Sequence, residues 1–369
     1  ITSATPPDSG AGVITIRSGH VVTINSSIVY DQVTIESGAQ GIVAPGISHT
    51  LADGPGNDLT INGSWVNQGG TWSFAGGAKW VVNDGGTFVH NTSSAISTAL
   101  SKAALSRSSN FIYRGSSSLV PASTFSGRTY GNLSLESSVG QWSCTASGGS
   151  PLIINGNLKI DPAVKWSTGA FSGGMTIQGT ILVHGEWMGS GSGNLGTHTF
   201  VGSFAIGPGG KYQLATTGLT QGNVVFLGDV TNDGTFVTPS NRAVIFNGVH
   251  SQTISGSAGI TFNKGFTATC SIAIEAGMLV RAGVGSTLVA NSDMAVSGTL
   301  SGADTNTRLI LGGPGNRLTL NDATVSIGAI LLHDGRIHTI SGNGTLTGCS
   351  VVIDSSSTLI LESNLTMEN

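Results

Sequence analysis

The chain has 369 residues, only 9% of them charged, with a formal net charge of −4. Its 15 lysines and arginines form no basic run, which argues against nucleic acid as a partner, and no stretch of about 18 apolar residues offers a membrane span. Three cysteines, Cys144, Cys270 and Cys349, lie too far apart for a disulfide framework or a zinc pattern and read as small buried hydrophobes. Glycine, at 56 residues, is about twice its ~7% average share. With so few charges, the polar surface must consist of hydroxyls, amides and glycine, a composition that suits β-structure. The chain opens at Ile1 with no signal peptide, as a processed form or a fragment would.

Short alternating runs start early and recur to the end. Val13-Ile14-Thr15-Ile16, Val21-Val22-Thr23-Ile24 and Val33-Thr34-Ile35 are followed by Leu133-Ser134-Leu135, Val244-Ile245-Phe246 and Leu318-Thr319-Leu320. Each is closed by Gly, Asn, Ser or Asp, which is the period-two strand signal with turn punctuation. Ser94 to Leu105 breaks the pattern. Helix formers and apolar residues at Ile96, Leu100, Ala103 and Ala104, behind a Ser94 N-cap, predict a short helix in an excursion from about Thr92 to Asn110.

Repeats sharpen this reading. Gly54-Pro55-Gly56-Asn57-Asp58-Leu59-Thr60-Ile61-Asn62 returns as Gly313-Pro314-Gly315-Asn316-Arg317-Leu318-Thr319-Leu320-Asn321. Asn83-Asp84-Gly85-Gly86-Thr87-Phe88-Val89 returns, one glycine shorter, as Asn232-Asp233-Gly234-Thr235-Phe236-Val237. A strand buries alternate residues, a glycine takes the φ > 0 corner, and the next strand begins. One such coil cannot bury its inner face alone, whereas stacked coils can, and corner asparagines then form ladders along the stack. The expectation is an all-β, right-handed parallel β-helix, or β-solenoid. Its coils would be 18–23 residues long, about 16–20 in number. Residues 1–93 would form N-terminal coils, 94–110 the excursion, and 111–369 the continuing coils of one rod.

Ile14-Thr15-Ile16-Arg17-Ser18-Gly19-His20-Val21-Val22-Thr23-Ile24, after Pro6-Pro7, resembles the opening of secreted or cell-surface repeat proteins common in Bacteroidota. Val244 to Gly248 with Ser251 to Gly256, and Thr129-Tyr130-Gly131-Asn132-Leu133, are similar to further hallmarks of that group. The resemblance implies an adhesin-like or matrix protein, secreted or held at the cell surface. It departs from the group after Leu359 to Thr366, where no sorting domain is recognisable.

Enzymes also use this fold, and glycoside hydrolysis needs two carboxyls about 5–9.5 Å apart. His184-Gly185-Glu186-Trp187 is the most site-like cluster, with Glu186, Asp229 and Asp233 as candidate catalytic carboxylates. Trp65, Trp72 and Trp80 are candidates for a glycan-stacking platform. Asp53 and Asp58 flank a glycine-rich turn and are candidate cation ligands, although Gly312 and Arg317 replace them in the second copy. The remaining histidines show no metal-ligand spacing, and no cofactor is expected. The sparse, scattered charges favour a structural or adhesive protein over a polysaccharide lyase, a glycoside hydrolase or a carbohydrate-binding module. Uncapped ends, open to further strand pairing, point to a homo-oligomer or filament as the partner state, with a glycan as the alternative ligand.

Overall fold

The computed structural model describes residues 12–115, 125–138, 140–191, 196–216, 222–239, 241–362 and 364–368. The Pro6-Pro7 turn lies outside them. The protein is a β-solenoid of about 15 turns, 53% strand and 2% helix. Its chain forms two compact units, Ile1–Ser167 and Thr168–Asn369.

In the first unit, strands pair in parallel one coil to the next. Ile14 lies beside Val33, and Val33 beside Leu59, so coil lengths range from 19 to 26 residues, wider than expected. The longer coils lengthen their turns while the strands stay short, and the number of turns falls accordingly. Period-two alternation sets the two faces: Val33-Thr34-Ile35 and Leu59-Thr60-Ile61 each bury their first and third residues and turn threonine outward. One inward column runs Gly41, Trp65, Phe88, Phe111, Leu133 in register. Gly41 is required there, because a Cβ at that position would lie 2.5 Å from the Trp65 ring.

The excursion is smaller than the sequence implied. The helix spans only Ser97–Ser101, with Ile96 rather than Ser94 at its N-cap. Ser94 instead serves a turn: its N–H donates to Thr92 Oγ1 and its carbonyl faces a His90 ring nitrogen. Ala103–Leu105 is a strand, in register with Trp80, Val81 and Val82. Local helix propensity yields there to a non-local ladder that continues the sheet. Asn110–Gly115 then resumes the coils, so half of the 94–110 segment is solenoid.

The second unit repeats the plan with three strands per coil. Val224–Phe226, Val230–Asn232 and Thr235–Thr238 pair with Val244–Phe246, Gln252–Ser255 and Ile260–Phe262 of the next coil. Trp187, Tyr212, Phe236, Ile260, Val280 and Leu300 form one inward column. Phe200, Phe226 and Phe246 form another, with ring centroids 5.3–5.4 Å apart. Tilted and stacked contacts of this kind add to the burial of the rings themselves.

The internal repeats have a concrete structural meaning. Asp84 and Asp233, at matching places in the Asn-Asp-Gly motif, perform the same task one coil apart from their targets. Asp84 accepts the N–H and hydroxyl of Ser108 at 3.0 and 2.7 Å. Asp233 accepts both groups of Ser257 at 2.8 Å. Asparagine ladders are present as well, with Asn83 donating to Asn62 at 2.7 Å and Asn132 to Asn110 at 3.1 Å.

Candidate functional site

Two of the sequence-predicted carboxylates, Asp229 and Asp233, bond to backbone groups of the next coil. Glu186 begins the strand Glu186–Gly191, in register with Lys211 of the next coil and Thr235 beyond it. Asp233 lies two coils further on, roughly 9–10 Å along the stack at ~4.8 Å per coil, and outside the Glu186 column. Its carboxyl is held below the usual carboxylate range by the Ser257 N–H and hydroxyl. That stabilises the ionised form, the opposite of what a general acid requires. Asp229 accepts the Thr253 N–H at 2.8 Å. Both aspartates are brackets between coils. Nor is Trp187 available beside Glu186: it is fully buried, its indole N–H donating to Thr168 Oγ1 at 3.2 Å, while His184 and Glu186 face outward. An odd step along a strand necessarily places it on the other face.

The tryptophan platform is also overturned. Trp65, Trp72 and Trp80 are 1%, 9% and 0% exposed and pack inside the coils. Trp72 stacks on His49 at 5.2 Å and on Phe88 at 5.6 Å, and Trp80 Nε1 donates to the Ala99 carbonyl at 2.7 Å. These rings are the largest pieces of apolar surface the unit has to bury, and the interior takes them.

Of the two candidate cation ligands, Asp58 has a structural role. Asp58 is fully buried and accepts the backbone N–H groups of Gly54 and Lys79, both at 2.7 Å. Its carboxylate serves as a corner clamp. Beside it stands Asp31, whose carboxyl is raised by burial and then by the neighbouring Asp58. Nothing in the sequence flagged Asp31, because it comes close only through coil stacking. Among the described residues no group of three or more His, Cys, Asp or Glu side chains is arranged to hold a metal ion.

Two features had no sequence signal. The first is a set of buried histidines. His49 shares a 2.9 Å hydrogen bond with the Tyr30 hydroxyl and is stacked between Tyr30 and Trp72. His90 packs edge-on to Tyr113. Burial lowers both to about 4. The second is Arg242, fully buried in the second unit. Its Nε donates to the Gly222 carbonyl at 2.6 Å, and its Nη2 to those of Gly196 at 2.6 Å and Asn223 at 3.2 Å. One guanidinium thereby ties together turns from successive coils.

No protein-family model matches the chain, and no curated protein or solved structure shows significant similarity to it. The class defined by the fold is the parallel β-solenoid. No helix among the described residues is long and apolar enough to cross a membrane.

The remaining distinctive surfaces are the edge coils. Among the described residues of the first unit, Ile14–Ile16, Val21–Ile24 and Ile28–Tyr30 each pair on one side. Val21 and Val22 are 63% and 43% exposed there. Among the described residues of the second unit, Ser350–Ile353, Thr358–Glu362 and Thr366–Glu368 likewise pair on one side. Leu361 is in register with the fully buried Ile340, yet is 60% exposed.

Proposed function

We propose that this chain is a structural or adhesive module of a secreted or cell-surface protein. Its coils stack on those of a second copy to build a filament, sheath or surface layer. The observation that carries the reading is the pair of edge coils. Among the described residues, the inward-facing Val22 and Leu361 are left exposed beside strands that pair on one side, and such edges template further pairing. Stacking the first coil of one copy on the last coil of another would continue the parallel ladders without reversing strand direction. That contact is heterologous and propagates as an open assembly. Outward residues such as Thr34, Thr60, Thr199 and Thr231 would form the exposed flanks. The resemblance to surface repeat proteins of Bacteroidota agrees with this reading, and the low charge and bracketing roles of Asp229 and Asp233 speak against a polysaccharide-active enzyme.

Sedimentation velocity of the wild type and of a V22K/L361K variant tests the reading. The wild type should associate progressively with concentration. The variant, which places charges on both edges, should remain a monomer with an unchanged β-sheet spectrum. A wild type that stays monomeric throughout would reject self-stacking.

A further inference from the structure

The helical excursion creates a feature that a plain solenoid wall would lack. Between the short helix Ser97–Ser101, the strand Ala103–Leu105 and the segment 127–130 lies an open cavity of about 290 Å³. That is near the lower end of ligand pockets, about the size for a small molecule or a single sugar unit. The lining is mainly polar: Ser101 and Thr129 bring exposed hydroxyl-bearing side chains and Arg128 lines the cavity, with little apolar surface added by Leu100 and Leu105. Its Nη2 donates to the Ser97 carbonyl at 3.0 Å, which fixes the guanidinium against the helix, while its Nε is buried with no acceptor. Lys102 is anchored nearby in the chain on the Ala75 and Gly76 carbonyls. Among the described residues neither cation has a carboxylate partner. Arg128 is the charged residue among those lining the cavity, and its Nε is a donor left over.

We propose that this cavity binds a small carboxylate, held by the Arg128 guanidinium, with the hydroxyl of Thr129 contacting the remainder of the ligand. A positioned guanidinium favours a planar carboxylate through charge-assisted hydrogen bonds. The hydroxyl-bearing, mainly polar lining suits the hydroxyls of a sugar acid. The carboxylate could come from a uronic acid of an acidic glycan or from a simple organic acid, and both present the same group to Arg128.

Titration calorimetry of the full chain with sodium glucuronate, sodium acetate and uncharged glucose tests the assignment. Glucuronate should bind saturably at millimolar concentrations, and glucose at least about tenfold more weakly. Acetate binding as tightly as glucuronate would support the site with a simple organic acid as its ligand, and glucuronate alone would identify a sugar acid. R128Q should weaken binding about tenfold or more. Because Arg128 also ties down the helix, T129V provides a second variant that leaves the Ser97 contact intact, and it should weaken glucuronate several-fold. Absence of saturable carboxylate binding, equal binding of glucose, or unchanged affinity in folded R128Q or T129V would each overturn the proposal.

Discussion

Acidification should weaken the first unit through His49 and His90. Both are near 4 in the folded chain because burial disfavours the imidazolium, against about 6.5 when unfolded. The unfolded chain therefore binds more protons between these values, and stability rises with pH across that window. The contribution is complete above about pH 6.5 and is lost as pH falls toward 4. A difference of about 2.5 units at 1.36 kcal/mol each gives about 3 kcal/mol per histidine. Denaturant unfolding followed by tryptophan fluorescence reports on this region directly, since Trp72 stacks on His49. In H49L the fall between pH 7 and about 4.5 should shrink by nearly one proton's worth, or about 1.2 kcal/mol per pH unit near pH 5. At neutral pH the same variant should be about 1–3 kcal/mol less stable, because the Tyr30 hydroxyl loses its partner. An H49L slope equal to that of the wild type would refute the reasoning.

Other perturbations have defined outcomes. R242A removes the donor to three carbonyls and should destabilise the second unit by about 3 kcal/mol or more in chemical denaturation. A loss below 1 kcal/mol would mean that the staple is dispensable. G41A forces a Cβ against Trp65 and should cost about 1–3 kcal/mol, read as a lower melting temperature. W72A should cost about 3–5 kcal/mol through the cavity it leaves without changing retention on glycan resins; specific loss of glycan retention in a folded W72A would restore the platform reading. D233A should lower the melting temperature at neutral pH. Because the Asp233 carboxyl is held low, the wild type should keep this contribution as pH drops to the ordinary carboxylate range and lose it only below, with the pH dependence of melting as the check.

The strands were legible because alternation and burial coincide: Val33-Thr34-Ile35 reads as a strand and folds as one with its threonine outward. The repeats were legible too, but the shared task of Asp84 and Asp233 was not, because their serine partners lie a coil away in sequence. Ala103-Ala104-Leu105 was misread as helix because the decisive partner, Trp80-Val81-Val82, lies a full coil away in sequence. The site residues suffered most from this non-locality. Trp72 and Trp80 are separated by a Gly-Gly turn that hides which face each takes, and the interior claims both. Asp58 reads as a turn carboxylate until Lys79, from the following coil, is seen to donate to it. Arg242 carries no local mark of burial at all, since its three carbonyl acceptors come from turns one and two coils earlier.

Electron cryomicroscopy of the concentrated wild-type chain tests the central claim most directly. The account predicts filaments in which the strands of Ile14–Ile16 and Val21–Ile24 from one copy stack on the last coil of the next, with the ~4.8 Å strand spacing uninterrupted across the junction. Dispersed single particles at every concentration, or filaments joined through the flanks with both edge coils left open, would contradict it.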